Sequence, residues 1–230
     1  MTRQELLPIA KPILFNTEMV KAILEGRKTV TRRLVKPQPQ GYFEVNDNPL
    51  YIYDSDLPSG RIAPQFQPGD YLYVRETWHK YIKRVGKGES CHLAEFYGYK
   101  ASIANSEDAH EPWKPSIHMP KDAARIFLKV TDVRVERLQD ITEEQALAEG
   151  VPSDWPMNEV YCPRCKGEGL VGALSSDLGF MEVDCHYCEK ATTRFSNLWN
   201  STIKKTDLDK YGWKANPWVW VIEFERVEVE

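Results

Sequence analysis

No apolar run in this 230-residue chain approaches the length of a bilayer-spanning helix. The first residues, Met1-Thr-Arg-Gln-Glu-Leu-Leu-Pro8, also lack the apolar core of a signal peptide. These absences exclude a helical membrane protein, and the chain reads as soluble and cytoplasmic. An excess of one charge is missing too. Thirty Lys and Arg against 34 Asp and Glu leave a net charge of −4, which excludes a chain basic all over but not a local basic groove. No internal repeat or low-complexity tract is present. No association surface is visible, and a monomer is the default. Cysteine is scarce, and in a reducing compartment paired cysteines point to metal rather than to disulfides. What is present suffices for a core: seven Trp and eleven Tyr within a 42% hydrophobic composition. The length fits one domain, residues 1–230, that carries an insertion.

The local patterns alternate strand and helix signals. Residues Asn16 to Gly26 read as a helix with Met19, Val20, Ile23 and Leu24 in one stripe, Asn16 or Thr17 as its cap and Gly26 beyond its end. Lys36-Pro-Gln-Pro-Gln-Gly41 breaks regular structure, and the polar stretch to Gly60 reads as a long loop with a short strand at Leu50–Tyr53. After the turn Gln67-Pro-Gly-Asp70, Tyr71 to His79 reads as one strand, Lys80 to Glu89 as a loop or hairpin tip, and Ala94 to Lys100 as a second strand. Residues Ala101 to Pro120 look irregular. Arg125 to Leu138 is the longest strand signal, with a phase slip at Asp132 that marks a bulge or bend. Thr142-Glu-Glu-Gln145 is a capping box for a short helix ending at Gly150. Thr192 to Ile203 reads as a helix burying Phe195, Leu198 and Trp199, and Trp218 to Val227 as a central strand apolar on both faces. Strands joined by long connections, with helices at two junctions, imply an α+β mixed barrel rather than a doubly wound sheet.

Cys162-Pro-Arg-Cys165 and Cys185-His-Tyr-Cys188 are two C-x2-C pairs with the separation of a zinc ribbon. Two thiolates three positions apart in a tight knuckle bind one metal, and the second knuckle completes a tetrahedron. Four sulfur ligands leave no open coordination position, so a Zn2+ ion held by Cys162, Cys165, Cys185 and Cys188 is structural. The ribbon is an insertion over residues 158–191. The continuation Cys165-Lys-Gly-Glu-Gly169 resembles half a zinc module of the J-domain co-chaperones. The second knuckle lacks the matching glycines, so only the zinc carries over. Reduced cysteines in a loop are the alternative.

Arg27, Lys28, Arg32, Arg33 and Lys36 place five cations in ten residues, with Thr29 and Thr31 among them. Arg binds phosphate through a planar fork and Lys through a point charge, so the cluster suits a phosphate-bearing ligand. A solvated basic loop at a helix C-terminus accounts for the same composition.

The stretch Lys11–Arg33, with Gly26-Arg-Lys-Thr-Val-Thr31 within it, resembles the N-terminal motif of ASCH-domain proteins, in the long form of phages and prophages. Pro68-Gly-Asp-Tyr-Leu-Tyr-Val-Arg-Glu-Thr-Trp78, the segment Arg134–Gly150 and Asn216-Pro-Trp-Val-Trp-Val-Ile-Glu-Phe224 fit the same form, in order along nearly the whole chain. The resemblance implies a PUA-like β-barrel with flanking helices, a cleft lined by the Gly-x-Lys-like motif, and an association with RNA or modified nucleosides. One small bacterial branch of this family hydrolyses N4-acetylcytidine with a Lys, a Thr and a Glu. Lys28 and Thr31 match the first two position by position, and Glu149 is the best match to the third.

Three functions follow. As an amidohydrolase, Lys28 is the base, Thr31 the nucleophile and Glu149 the proton shuttle, with Arg33 or a backbone N–H on the oxyanion. As a non-catalytic reader of RNA or single-stranded nucleic acid, the protein holds the backbone with Arg27, Arg32 and Arg33 and stacks bases on Trp78, Tyr73 or Trp113. As a ribonuclease, it uses His79 and His118. Arg75 and Glu76 point to opposite faces of a strand, so one of them faces the interior or the cleft. Glu76 there is a second candidate acid/base, and an ordinary ion pair is the alternative.

Overall fold

The computed structural model describes residues 1–47, 50–58, 60–87, 91–102, 112–151, 162, 164–166, 168, 170–175 and 179–229. They form an α+β protein of two compact units interleaved along the chain. The first unit takes in residues 1–26, 68–131 and 224–230, and the second residues 27–67 and 132–223.

In the first unit, helix α1 (Arg3–Ile9) opens with a capping box: the Thr2 hydroxyl accepts from the Glu5 amide and the Glu5 carboxylate accepts from the Thr2 amide. Strand β1 (Lys11–Leu14) follows, then α2 (Thr17–Leu24), capped by the Asn16 side chain and ended at Gly26 with φ +76°. Strand β6 (Tyr71–Arg75) pairs in parallel with β1 and antiparallel with β9 (Phe127–Arg137). Leu6, Ala10, Tyr73, Trp78, Met119 and Phe127 belong to the core of this unit.

The strand expected over Tyr71–His79 is two strands. The chain leaves the sheet at Glu76, whose amide donates to the Met119 sulfur, and begins β7 (Trp78–Val85) with a bridge to Lys114. β7 forms a full hairpin with β8 (His92–Tyr99). The residues from Lys80 to Val85, expected in a loop, are therefore strand. Their charge does not oppose a hairpin arm that is exposed on both faces, and the turn comes at Gly86, φ +95°. Of the irregular segment expected over 101–120, residues 103–111 lie outside the described residues, as does Glu89.

In the second unit, β2 (Val30–Leu34) pairs antiparallel with β12 (Trp218–Val227). Arg32 and Arg33 of the cation-rich string thus lie in a sheet strand, and Lys28 and Arg32 are buried, while Arg27 and Lys36 at its ends are exposed. β3 (Phe43–Asp47), β4 (Leu50–Asp54) and β5 (Arg61–Ile62) make a small antiparallel sheet where a long loop with one strand is expected. Asp54 anchors it: its buried carboxylate accepts the amides of Gln40 and Asp56. Helix α3 (Glu143–Ala148) has the expected capping box, and α5 (Ala191–Thr202) buries Phe195 and Trp199. Val30, Val219 and Val221 of the β2–β12 ladder pack with Ala146, Phe195 and Trp199 in one core. The ribbon hairpin, β10 (Leu170–Ser175) with β11 (Gly179–Asp184), leads into α4 (His186–Glu189). The first residues assigned to the insertion, 158–161, lie outside the described residues. Helix α6 (Leu208–Tyr211) precedes β12.

The strand order of the main sheet is β1-β6-β9-β12-β2. β9 changes face between Val130 and Val133, both buried, on either side of Asp132. Among the described residues no ladder closes this sheet, so the closed barrel expected from the sequence is not formed. Closure requires edge strands paired along a common length. The edges here are only four and five residues long, against eleven and ten for β9 and β12. No helix among the described residues is long and apolar enough to cross a membrane.

Candidate functional site

The four cysteines converge. Cys162 and Cys165 stand in a tight knuckle, where the Lys166 amide donates to the Cys162 carbonyl and the Glu168 amide to that of Cys165. Cys185 and Cys188 open α4, with the Cys188 amide donating to the Cys185 carbonyl. All four sulfurs are buried and lie within 4.8 Å of one another. The Cys162–Cys185 and Cys165–Cys188 separations are 3.7 and 3.3 Å, too long for disulfide bonds of about 2.05 Å. Burial, followed by the thiols of Cys165, Cys162 and Cys185 around it, pushes the Cys188 thiol up. Four such sulfurs facing one point can hold a metal ion.

A second centre forms where the chain before β2 meets the C-terminal end of α3. This helix is fixed twice: by its capping box, and by Glu143, whose carboxylate accepts the amides of Ala191 and Thr192 at the start of α5. The segment 27–29 then zips onto its last residues. Arg27 Nη1 donates to the Gly150 carbonyl at 3.2 Å, the Thr29 amide donates to Ala148, and Lys28 bridges to Glu149. Cations at a helix C-terminus meet the negative end of its dipole.

Lys28 and Glu149 are buried together. Lys28 Nζ donates to Glu149 Oε2 at 2.7 Å, to the Glu149 carbonyl at 2.8 Å and to the Val30 carbonyl at 2.7 Å. That last acceptor is the peptide group that leads into Thr31. The other carboxylate oxygen, Oε1, accepts from Arg32 Nη1 at 3.2 Å, so Glu149 lies between two cations. Arg32 Nη2 donates to Gln145 Oε1 at 2.8 Å and to Glu136 at 3.4 Å. Arg32 Nε is buried without a hydrogen-bond partner among the described residues. Burial pushes Lys28 below the ordinary lysine value, the Glu149 carboxylate works against that shift, and Arg33 and Arg32 add to it.

Alternation along β2 separates Arg32, which with Val30 and Leu34 points toward α3 and α5, from Thr31 and Arg33. Thr31 is buried, and its hydroxyl oxygen accepts from Arg33 Nη1 at 3.0 Å. Their cross-strand partners on β12 are Ile222 and Trp220. Arg33, Lys36, Gln65, Phe66, Trp220 and Ile222 contribute to the wall of a cavity of about 470 Å³, which Arg32 also lines. Ligand sites fall at roughly 300–1,000 Å³.

The remaining candidates lie in the first unit. Glu76 is buried in a fork with Arg125: Nε donates to Oε1 at 2.8 Å and Nη2 to Oε2 at 2.9 Å. The ion-pair alternative is the one observed. Arg75 Nη2 donates to the Ile117 carbonyl, and its Nε is buried without a partner among the described residues. Trp78 and Tyr73 are core side chains, covered by Lys114 and Lys121 at 5.2 and 5.3 Å from their ring centroids. His79 is buried and stacked on Trp113, whereas His118 is exposed on a short 3-10 turn. Sequence reasoning passed over Gln145, Glu136 and Trp220, whose roles depend on partners distant in the chain. The capping box was the one local signal that could have singled out Gln145. Compared with family models, curated proteins and solved structures, the chain matches none.

Proposed function

We propose that this chain is a PUA-like protein of the ASCH type that binds a modified nucleoside in its second unit and hydrolyses an N4-acetylcytidine-like amide. The observation that carries the reading is the buried contact of Lys28 Nζ with the Glu149 carboxylate at 2.7 Å. The resemblance pairs these two residues as base and proton shuttle, although 121 positions separate them.

The chemistry proceeds in proton-balanced steps. A proton passes from Lys28 Nζ to Glu149 Oε2, and burial favours the neutral amine that results. The bond from Arg33 occupies an acceptor site of the Thr31 oxygen and leaves its O–H proton for transfer. Lys28 takes that proton as Thr31 Oγ1 attacks the acyl carbon. Arg33 offsets the charge that develops on the carbonyl oxygen. The C–N bond breaks, the leaving amine takes the proton from Glu149, and an acyl ester remains on Thr31. Water hydrolyses the ester to acetate. The neighbouring cavity has the volume for a nucleoside, and Trp220 and Phe66 supply ring surface in its wall.

Zinc is the metal that suits the four thiolates. Bonds of about 2.3 Å at tetrahedral angles place sulfurs about 3.8 Å apart, close to the 3.7 Å between Cys162 and Cys185. With every position filled by protein, the ion holds the ribbon together and takes no part in hydrolysis. Elemental analysis of protein purified without chelator is expected to find one zinc per chain. Four titratable thiols with no metal would count against it.

One observation favours a second reading, a non-catalytic nucleic-acid reader. All three protons of the Lys28 ammonium are already donated, as in a purely structural lysine. Chromatography of N4-acetylcytidine incubated with the native chain and with Lys28→Ala decides between the two. Cytidine released by the native chain and not by the variant supports the hydrolase. No release from folded, zinc-loaded protein transfers the function to the reader.

A further inference from the structure

The basic string from Arg27 to Lys36 is broken as a continuous cationic surface, because Lys28 and Arg32 are buried between the exposed Arg27 and Lys36. A nucleic-acid strand needs another platform, and the β7–β8 hairpin of the first unit has the chemistry for one. On one of its faces, His79, Tyr81 and Lys83 stand opposite Gly98, Phe96 and Ala94. Gly98 is required there. A Cβ at that position would lie 1.9 Å from His79 Nε2, so only glycine lets the imidazole lie flat against β8.

The rings on this face form a continuous run. Trp113 stacks on His79 with centroids 4.4 Å apart and planes at 28°. His79 meets Tyr81 at 5.5 Å, and Tyr81 stacks on Phe96 at 5.7 Å and 26°. The run passes from a buried root at His79, 2% exposed, to Phe96, 37% exposed. Beyond it the paired strands carry further cations: Lys83 on this face and Arg84 on the other, while the carboxylate of Glu95 is matched by Lys80 at 2.6 Å. A positive, aromatic arm on a chain of net charge −4 is complementary to a polyanion that presents flat rings. A single strand does so, whereas a duplex hides its base faces.

We propose that this face of the hairpin is a binding platform for single-stranded RNA. A base stacks on Phe96 and Tyr81, and Lys83 on the same face holds the adjoining phosphate. The choice of RNA over DNA rests on the ribonucleoside reading of the Lys28–Glu149 site. The platform itself rests only on the hairpin.

The test is fluorescence anisotropy of a short labelled oligouridine with the full-length protein at low and physiological salt. The native chain is expected to bind with an affinity that falls as salt rises. Phe96→Ala weakens binding on the order of tenfold, and Phe96→Trp restores it. Because Phe96→Ala can loosen the hairpin, Lys83→Glu, an exposed charge reversal, provides a second variant. It also weakens binding on the order of tenfold and flattens the salt dependence, with an unchanged far-UV circular dichroism spectrum. Three results would overturn the proposal: no binding at low salt, binding indifferent to both Phe96→Ala and Lys83→Glu, or equal affinity for the matching oligothymidine. This test and the acetylcytidine assay fail separately. A chain that binds oligouridine through Phe96 and Lys83 without releasing cytidine keeps the platform and loses the hydrolase.

Discussion

Two glutamates are buried against arginine, Glu76 in the first unit and Glu149 in the second, and they are satisfied in different ways. Glu76 meets Arg125 in a parallel two-bond fork. The rest of that guanidinium is occupied as well: Nη1 donates to Ser102 at 2.6 Å and the plane lies 4.1 Å over Tyr99. One carboxylate balances one cation, and the pair is closed. Glu149 instead divides its two oxygens between Lys28 and Arg32. Arg32 keeps a buried Nε without a partner among the described residues, and its bond to Glu136 is long at 3.4 Å. Burial alone therefore does not mark a candidate carboxylate. What distinguishes Glu149 is that it is shared, next to a lysine whose charge burial disfavours and an arginine that lines a cavity.

The sharpest way to break the comparison is to neutralise each glutamate in turn. Removing one partner of a buried ion pair costs about 3–5 kcal/mol, so Glu76→Gln and Glu149→Gln are both expected to lower stability in urea titrations. Their effects on acetylcytidine hydrolysis should part completely. Glu149→Gln loses on the order of 100-fold in kcat, the low end of general acid–base contributions, while Glu76→Gln retains the native rate below its melting transition. Equal losses of rate in the two variants, both verified as folded, would mean that Glu149 is another closed pair.

The pH dependence separates the two carboxylates next. Lys28 titrates below its ordinary value of 10.5 because of burial, with Glu149 opposing. The reactive form, neutral Lys28 beside protonated Glu149, holds one proton within the pair, so the rate falls as pH rises through the Lys28 titration below 10.5 and that proton is lost to solvent. Glu149→Gln removes the opposing charge, so the Lys28 titration moves to lower pH. Glu76→Gln leaves it in place. Linkage has the opposite sign. With the folded value below the unfolded one, the unfolded chain binds more protons within that window, and this group's contribution to stability increases with pH across it. A pH–rate profile that does not move in Glu149→Gln would separate Lys28 from Glu149 and remove the proton shuttle.

How much of this was legible beforehand depended on the reach of each signal. The cap of α2, the capping box of α3, the span of β12 and the pairing of the four cysteines are written within a few residues of themselves, and each is found where the spacing placed it. β2 was hidden because five cations in ten residues outweighed Val30 and Thr31 as a local signal. Its strand character comes from β12, nearly two hundred residues away. The partners of Glu76 and Glu149 were equally out of reach of spacing. Arg125 is 49 residues from Glu76, and Lys28 is 121 from Glu149. Only the family resemblance joined the second pair.

The smallest expected effect compares two capping boxes. Thr142 caps α3 by accepting from the Gln145 amide, and the Gln145 side chain accepts in return from the Thr142 amide, both at 3.2 Å. Thr2 and Glu5 make the same reciprocal arrangement at α1. Losing such a cap costs about 1 kcal/mol, so Thr142→Ala and Thr2→Ala should shift the urea midpoint by similar amounts. Only the box at α3 adjoins the candidate site, since Gln145 Oε1 also accepts from Arg32 Nη2 at 2.8 Å. Glu143 still ties α3 to the start of α5 in the variant. Glu149 should therefore keep its place, and Thr142→Ala should lower hydrolysis by no more than a few-fold. A drop as large as that of Glu149→Gln, with Thr2→Ala unaffected, would assign control of the reaction to the docking of α3 rather than to the carboxylate it carries.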